Sequence, residues 1–195
     1  MHLPPSTDPM QPIPSMICLL GAPGAGKGVQ GRLLAGHLGA VHVSVGDVMR
    51  QLREQGTKIP YDSRLRLAQT AFTSEAIRRA APASSPVVLD GFPRAAEQVQ
   101  ALVDLPWRCQ AVLWLEVSFA EAIARMKGRG REGEDVAQIG LRHARHEARS
   151  PELLDAIASA GIPVHRIDAD AEIEQVQARC RAAVLSTEAV DIQVD

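Results

Sequence analysis

One stretch combines glycine freedom with a cation. Gly21-Ala-Pro-Gly24-Ala-Gly26-Lys27-Gly28 follows a short apolar run and precedes an amphipathic one. Glycines let successive backbone N–H groups turn inward around phosphate oxygens. The helix that follows adds the partial positive charge of its N-terminus. Lys27 can then reach the outer phosphates of a nucleotide. The usual pattern puts Ser or Thr after the lysine, but here Gly28 and Val29 follow it. No hydroxyl is available there for Mg²⁺ or phosphate, so a metal has to lean on the nucleotide, on water and on a carboxylate elsewhere.

That carboxylate is predicted to be Asp90. Val87-Val88-Leu89-Asp90 reads as an apolar strand ending in an acid, suited to orienting Mg²⁺ through water. Gly91-Phe92-Pro93-Arg94 comes next, then Gln98. Arg94, expected to open a helix, can fork onto a phosphate. Gln98 lies four residues on, on the same helix face. Its amide both donates and accepts, which matches the N1 and N6 edge of adenine. Alone it would read as a solvated helix residue. Ser44 to Arg50 ends a strand and opens a helix, with Asp47 as a helix-start acid and Arg50 as a second phosphate ligand.

Arg125, Arg129 and Arg131 frame a short glycine-rich loop, and Arg142 lies on the helix beyond. A charge run is usually a solvated face. The charge balance argues otherwise here. ATP with a monophosphate brings roughly six negative charges, and Mg²⁺ offsets two. Lys27, Arg50, Arg94, Arg129, Arg131 and Arg142 more than meet the rest.

The elements that must position these groups follow from alternating short apolar runs and longer amphipathic stretches, the pattern of βαβ units and a parallel sheet. Strands are expected at Met16 to Leu20, Val41 to Ser44, Pro86 to Leu89, Gln110 to Glu116 and Pro163 to Ile167. Helices are expected at Gly28 to Leu38, Asp47 to Arg53, Tyr61 to Ala80, Arg94 to Val103, Phe119 to Lys127 and Glu172 to Val184. Another long helix follows the arginine loop, with a break near Pro151. The fold class is α/β, in one domain over residues 15–185, with a Pro-rich disordered leader over 1–14 and a loose tail over 186–195.

Composition limits the alternatives. The chain has 195 residues, of which 46% are apolar, enough for one packed domain. A net charge of −2 gives no broad basic face for nucleic acid, so positive charge must be gathered locally for a small anion. Cys18, Cys109 and Cys180 are scattered, with no C-x-x-C, which suits a reducing cytoplasm. No apolar run approaches the roughly 20 residues of a membrane span, so no membrane partner is expected.

Taken together, these motifs resemble the adenylate kinase family. Its G-x-P-G-x-G-K-G-T-Q matches Gly21 to Gln30, with Val29 for Thr. Its S-T-G-D-x-x-R matches Ser44 to Arg50, with Val45 for Thr. Its D-G-F-P-R-x-x-x-Q matches Asp90 to Gln98 in full. Its short lid, R-x-x-G-R-x-R, matches Arg125 to Arg131, and its R-L-x-x-Y aligns Arg142, with His146 in place of tyrosine. The resemblance runs from residue 16 to about 180.

It implies a P-loop three-layer fold with a five-stranded parallel sheet. It also implies a helical monophosphate-binding arm over about 45–81 and a mobile lid over about 126–136. ATP would be held by Gly21, Gly24, Ala25, Gly26, Lys27, Gly28, Val29, Arg125 and Arg129. The monophosphate would be held by Val45, Arg50, Gly91, Arg94, Gln98, Arg131 and Arg142. Lys27, Arg94, Arg129, Arg131 and Arg142 would carry the transfer, and Asp90 would order the Mg²⁺ shell. Zinc is not implied, because the chain lacks the cysteines of the zinc-bearing lid. A monomer acting on ATP and AMP in the cytoplasm is expected. The arm is shortened and lacks the family's G-x-L-V segment, with Ala71-Phe72-Thr73 in its place. The lid's paired aspartates appear as Gly133 and Glu134.

Rival readings stay open at this point. One is a P-loop kinase acting on UMP, CMP or a small alcohol. Another is a nucleotide-binding regulator with little turnover, which Val29, Val45 and the altered arm favour. His143-x-x-His146-Glu147 suggests a metal hydrolase, but zinc needs a third ligand and an open position.

Overall fold

The computed structural model describes residues 13–59, 66–128 and 136–191. Alternation along β1 (Ser15–Gly21) sets the architecture. Met16, Cys18 and Leu20 enter one apolar cluster, whereas Ile17 and Leu19 enter another on the opposite face of the sheet. A strand buried on both faces needs helices above and below it. The chain supplies them in the order β1, α1 (Lys27–Leu38), β2 (Val41–Ser44), α2 (Val45–Glu54), α3 (Arg66–Ala80) and β3 (Val87–Asp90). It continues through α4 (Val99–Val103), β4 (Arg108–Glu116), α5 (Phe119–Gly128), α6 (Val136–Ser159), β5 (Val164–Asp168) and α7 (Ile173–Asp191).

The five strands are all parallel, in the order β2-β3-β1-β4-β5. This is the three-layer α/β arrangement predicted from the sequence. The connections reverse direction around β1, and ligands of such sheets bind beyond the carboxyl ends of the strands at that reversal. Gly21 ends β1 there, Asp90 ends β3 beside it, and Trp114 lies near the end of β4 on the other side.

Three expectations are corrected. The helix predicted from Arg94 begins only at Val99. Ala95 is extended, with φ −157° and ψ 155°, and Ala96–Gln98 form a single 3₁₀ turn. Arg94 and Gln98 therefore do not share a helix face. Second, α6 runs through Pro151 without a break. Burial of Leu153 and Ile157 just beyond holds the helix on course, and the Ser150 hydroxyl donates to the His146 carbonyl at 2.8 Å. Third, α7 continues to Asp191, past the expected tail boundary. Thr187 is buried there, and its hydroxyl lies 2.8 Å from His165 Nε2 on β5. No described helix is long and apolar enough to cross a membrane.

Candidate active site

The loop after β1 is shaped by glycines in backbone conformations that other residues rarely adopt. Gly21 has φ +142°, and a Cβ there would lie 2.3 Å from the Leu115 carbonyl oxygen. Gly24 has φ +89°, and its Cβ would come within 2.7 Å of the Ala122 carbonyl oxygen on α5. Gly26, at φ +85°, ends the loop as the residue before α1. No side chain caps this helix and no acid sits in its first turn, so its end stays available to an anion. Lys27 curls over the loop, with Nζ donating to the carbonyls of Gly21 and Ala22 at 2.9 Å each.

Facing this loop is Asp90, 7% exposed at the end of β3. One of its carboxylate oxygens lies 3.5 Å from where a Cβ on Gly28 would sit. A Cβ at position 28 would thus be in van der Waals contact with the acid, which places the carboxylate directly against the start of α1. The Asp90 carboxylate makes no hydrogen bond or salt bridge with any described residue, and its charge acts on His42 of β2.

The segment after Asp90 folds back on itself. Gly91 has φ +83°, and Arg94 Nε donates to its carbonyl at 2.7 Å. Gln98 Oε1 accepts the Arg94 backbone N–H at 2.8 Å, so this amide holds the arginine turn in place. The Arg94 guanidinium also lies 4.0 Å from the Cβ position of Gly46, which brings the start of α2 alongside. On α2, Arg50 pairs with Asp47 at 2.8 Å on the surface.

These groups line one cleft of 430 Å³. Gly21, Gly24, Gly26, Lys27, Gly28, Val29, Arg50, Asp90, Gly91, Arg94 and Arg142 all reach it. Ala25 and Arg125 line a neighbouring cleft of 640 Å³ behind the loop, with Gly26 and Val29 on the shared wall. Arg125 is held there by Glu121 at 2.7 Å and by the carbonyls of Ala169 and Ala171 at 2.9 and 3.2 Å. Two expected residues stay outside. Val45 is buried in the core, and its neighbours Ser44 and Gly46 line the cleft instead. Gln98 is not in the lining, because its oxygen is turned toward Arg94. Arg129 and Arg131 lie outside the described residues.

The sequence reading missed several lining residues. Arg32 follows Gly28 by one helical turn. Arg145 and Arg149 follow Arg142 by three and seven residues, a spacing that marks one helix face. His146 is stacked on Trp114, with ring centroids 5.2 Å apart and 23° between planes. Burial, then the positive charge of Lys27 and the neighbouring His143, push its pKa down to about 4. The ring is therefore neutral at pH 7. His143 packs edge-on against Phe119, 5.0 Å between centroids. Both imidazoles of the suspected metal motif are thus taken up by aromatic packing, and no third ligand joins them among the described residues.

Comparison with known proteins decides the family. The chain is 37% identical over 182 residues to an adenylate kinase of Rhodococcus erythropolis, covering 86% of this chain and 98% of that protein. The chain belongs to the adenylate kinase family. An adenylate kinase of Prochlorococcus marinus is 32% identical over 87% of this chain and 97% of its own length. One of Mycolicibacterium vanbaalenii is 31% identical over 86% and 98%. A family model described as an AAA domain matches residues 20–140, which includes the glycine loop and the acceptor segment. In this chain the glycine loop, Asp90 and the Gly91 to Arg94 turn meet at one place.

Proposed function

We propose that this protein is an adenylate kinase, moving the terminal phosphoryl group of ATP to AMP to give two ADP. The observation that carries the reading is the meeting of Lys27 and Arg94 across one cleft, with Asp90 between their loops. Proteins named adenylate kinase align along nearly their full length with this chain.

Phosphoryl transfer needs little covalent help from a protein. It needs positioning and charge neutralisation. The loop amides and Lys27 hold the ATP phosphates at the N-terminus of α1. The second cleft, flanked by Arg125, receives the adenosine part of ATP. Arg50 and Arg94 hold the acceptor phosphate, and Gln98, at the margin of the cleft with Oε1 on the Arg94 turn, keeps Nε2 for the acceptor base. Arg142 reaches in from α6, and Arg129 and Arg131, which lie outside the described residues, would add positive charge for the transferring group. Asp90 suits Mg²⁺, because it is a nearly buried acid whose carboxylate makes no hydrogen bond or salt bridge to a described residue, set against the phosphate loop. When bound with ATP, the metal offsets phosphate charge, and Asp90 orders its water shell. α2 and α3 form the acceptor arm.

This reading brings with it a monomer working in the cytoplasm, without nucleic acid or membrane partners. The net charge of −2 and the local gathering of arginines support the part of it that concerns nucleic acid. The deciding experiment is coupled ADP formation from ATP with AMP, GMP, CMP and UMP in turn. AMP is expected to be the best acceptor. A better rate with another monophosphate would reassign the acceptor, and no turnover with any of them would leave a nucleotide-binding regulator.

A further inference from the structure

The cleft face of α6 carries three arginines in a row, Arg142, Arg145 and Arg149, with His146 between them. Exposed arginines on a helix are ordinarily solvated or paired along the helix. Arg145 and Arg149 are exposed, yet neither guanidinium makes a hydrogen bond or salt bridge with any described residue. Both line the cleft that holds the phosphate loop and Arg94. Two desolvation-ready cations in a pocket for phosphates are suited to an anionic ligand.

The packing of α6 tells which end of the cleft each arginine serves. Near its start, Gly140 and His143 lie against Phe119 of α5, the helix that carries Arg125. Farther on, Leu153 is buried in the cluster that includes Phe92 and Val99, on either side of Arg94. Arg149 stands one turn before Leu153, and about 10 Å along the axis from Arg142. The row thus runs from the α5 end of the cleft at Arg142 to the acceptor side beside Arg94 at Arg149. On that acceptor side Arg50 is already paired with Asp47, so part of its charge is offset.

We propose that Arg149, with Arg145 in support, binds the phosphate of the acceptor nucleotide opposite Arg94 and sets acceptor affinity. The inference rests on the adenylate kinase reading above and adds residues to its acceptor site. A guanidinium on α6 and one on the Gly91 to Arg94 turn would grip the same phosphate from two elements, which fixes its direction as well as its charge.

The test compares Arg149→Gln, Arg145→Gln and Arg149→Lys with the unaltered full-length protein, in steady-state kinetics and in calorimetry with AMP and with ATP. Loss of a charge-assisted bond to phosphate is worth roughly a factor of ten or more in affinity. Arg149→Gln should raise KM and Kd for AMP by about that factor, with the ATP values within about twofold. Arg145→Gln should do the same to a smaller degree. Arg149→Lys should recover part of the loss, since it keeps the charge without the fork.

Unchanged AMP affinity in Arg149→Gln overturns the inference, and so does an equal or larger loss for ATP. If Arg149→Gln does not fold, as judged by its thermal unfolding, the other two variants decide by the same AMP-to-ATP comparison. Failure of the function itself looks different. The unaltered protein would then bind AMP without forming ADP, while the calorimetric arm still reads Arg149.

Discussion

The imidazole of His146 lies flat against the indole of Trp114, 5.2 Å between centroids, where the family pattern places a tyrosine. Trp114 is itself 5% exposed near the end of β4, so the pair closes the wall of the cleft beside Lys27.

This contact predicts a pH dependence with a definite sign. His146 titrates at about 4 in the folded protein, against an ordinary 6.5. Between those values the unfolded chain binds a proton that the folded chain refuses. Stability from this group is therefore full above pH 6.5, falls as pH drops toward 4, and is flat below. Discounted for the ring's partial exposure, the loss is about 1–2 kcal/mol. His146→Tyr should remove it while keeping the stack. Thermal unfolding at pH 7 and pH 4.5 should show a larger fall in Tm for the parent than for the variant, by roughly 2–4 °C per kcal/mol. Equal falls would mean that the ring is not held neutral.

Lys27→Ala should cost turnover and little stability. The lysine spends two hydrogen bonds on the carbonyls of Gly21 and Ala22. Their loss is expected to cost only about 1–2 kcal/mol. Removing the cation from the transferring phosphates should lower kcat by about a hundredfold or more. A variant that folds and retains a tenth of parental turnover would show that the loop amides do this work alone.

Arg94 and Gln98 should fail differently, although the Gln98 oxygen accepts the Arg94 N–H. Arg94→Ala should weaken AMP binding by about 10- to 150-fold, the equivalent of roughly 1.5–3 kcal/mol, with ATP binding unaffected. In Gln98 the bond to Arg94 fixes the amide, with Nε2 left to donate. N1 of adenine accepts such a bond, whereas N1 of guanine carries a hydrogen. Gln98→Leu should therefore reduce the ratio of kcat/KM for AMP over GMP, besides loosening the Arg94 turn. An unchanged ratio would assign base reading to another group.

What the sequence made legible was local. The positive-φ glycines at 21, 24, 26 and 91 announce turns that only glycine supports well. The two-residue alternation of Met16 to Leu20 implies a strand with two buried faces. Asp90 and Arg94 follow directly from those turns. The rest depends on how distant elements dock. Pro151 argues for a break, but burial of Leu153 and Ile157 overrides it. Nothing near Thr187 signals that its hydroxyl meets His165 on β5, 22 residues earlier. Arg145 and Arg149 look like any charged helix face until α6 is laid across the cleft. Val45 stands where the motif has threonine, and its side chain turns into the core.

Val29 is where this chain departs most clearly from the phosphate-loop pattern, and it gives the sharpest test of turnover. Its side chain lies on the wall shared by the two clefts. Its backbone N–H is already spent on the Gly26 carbonyl at 3.0 Å. The position therefore offers a bound phosphate no donor. Threonine has nearly the shape of valine, so Val29→Thr adds a hydroxyl with little repacking. A bond to a charged phosphate is worth roughly 1.5–3 kcal/mol at best. The hydroxyl can also turn back to a carbonyl four residues earlier, which reduces the gain. The lysine and the arginines of the cleft are all present, so the parent is expected to be active already. The expected result is a rise in kcat/KM for ATP of up to about tenfold, with KM for AMP within about twofold. No rise in an active parent would mean that the loop amides or a water already satisfy that phosphate. Undetectable transfer in both proteins, with every common monophosphate, would sink the kinase reading itself.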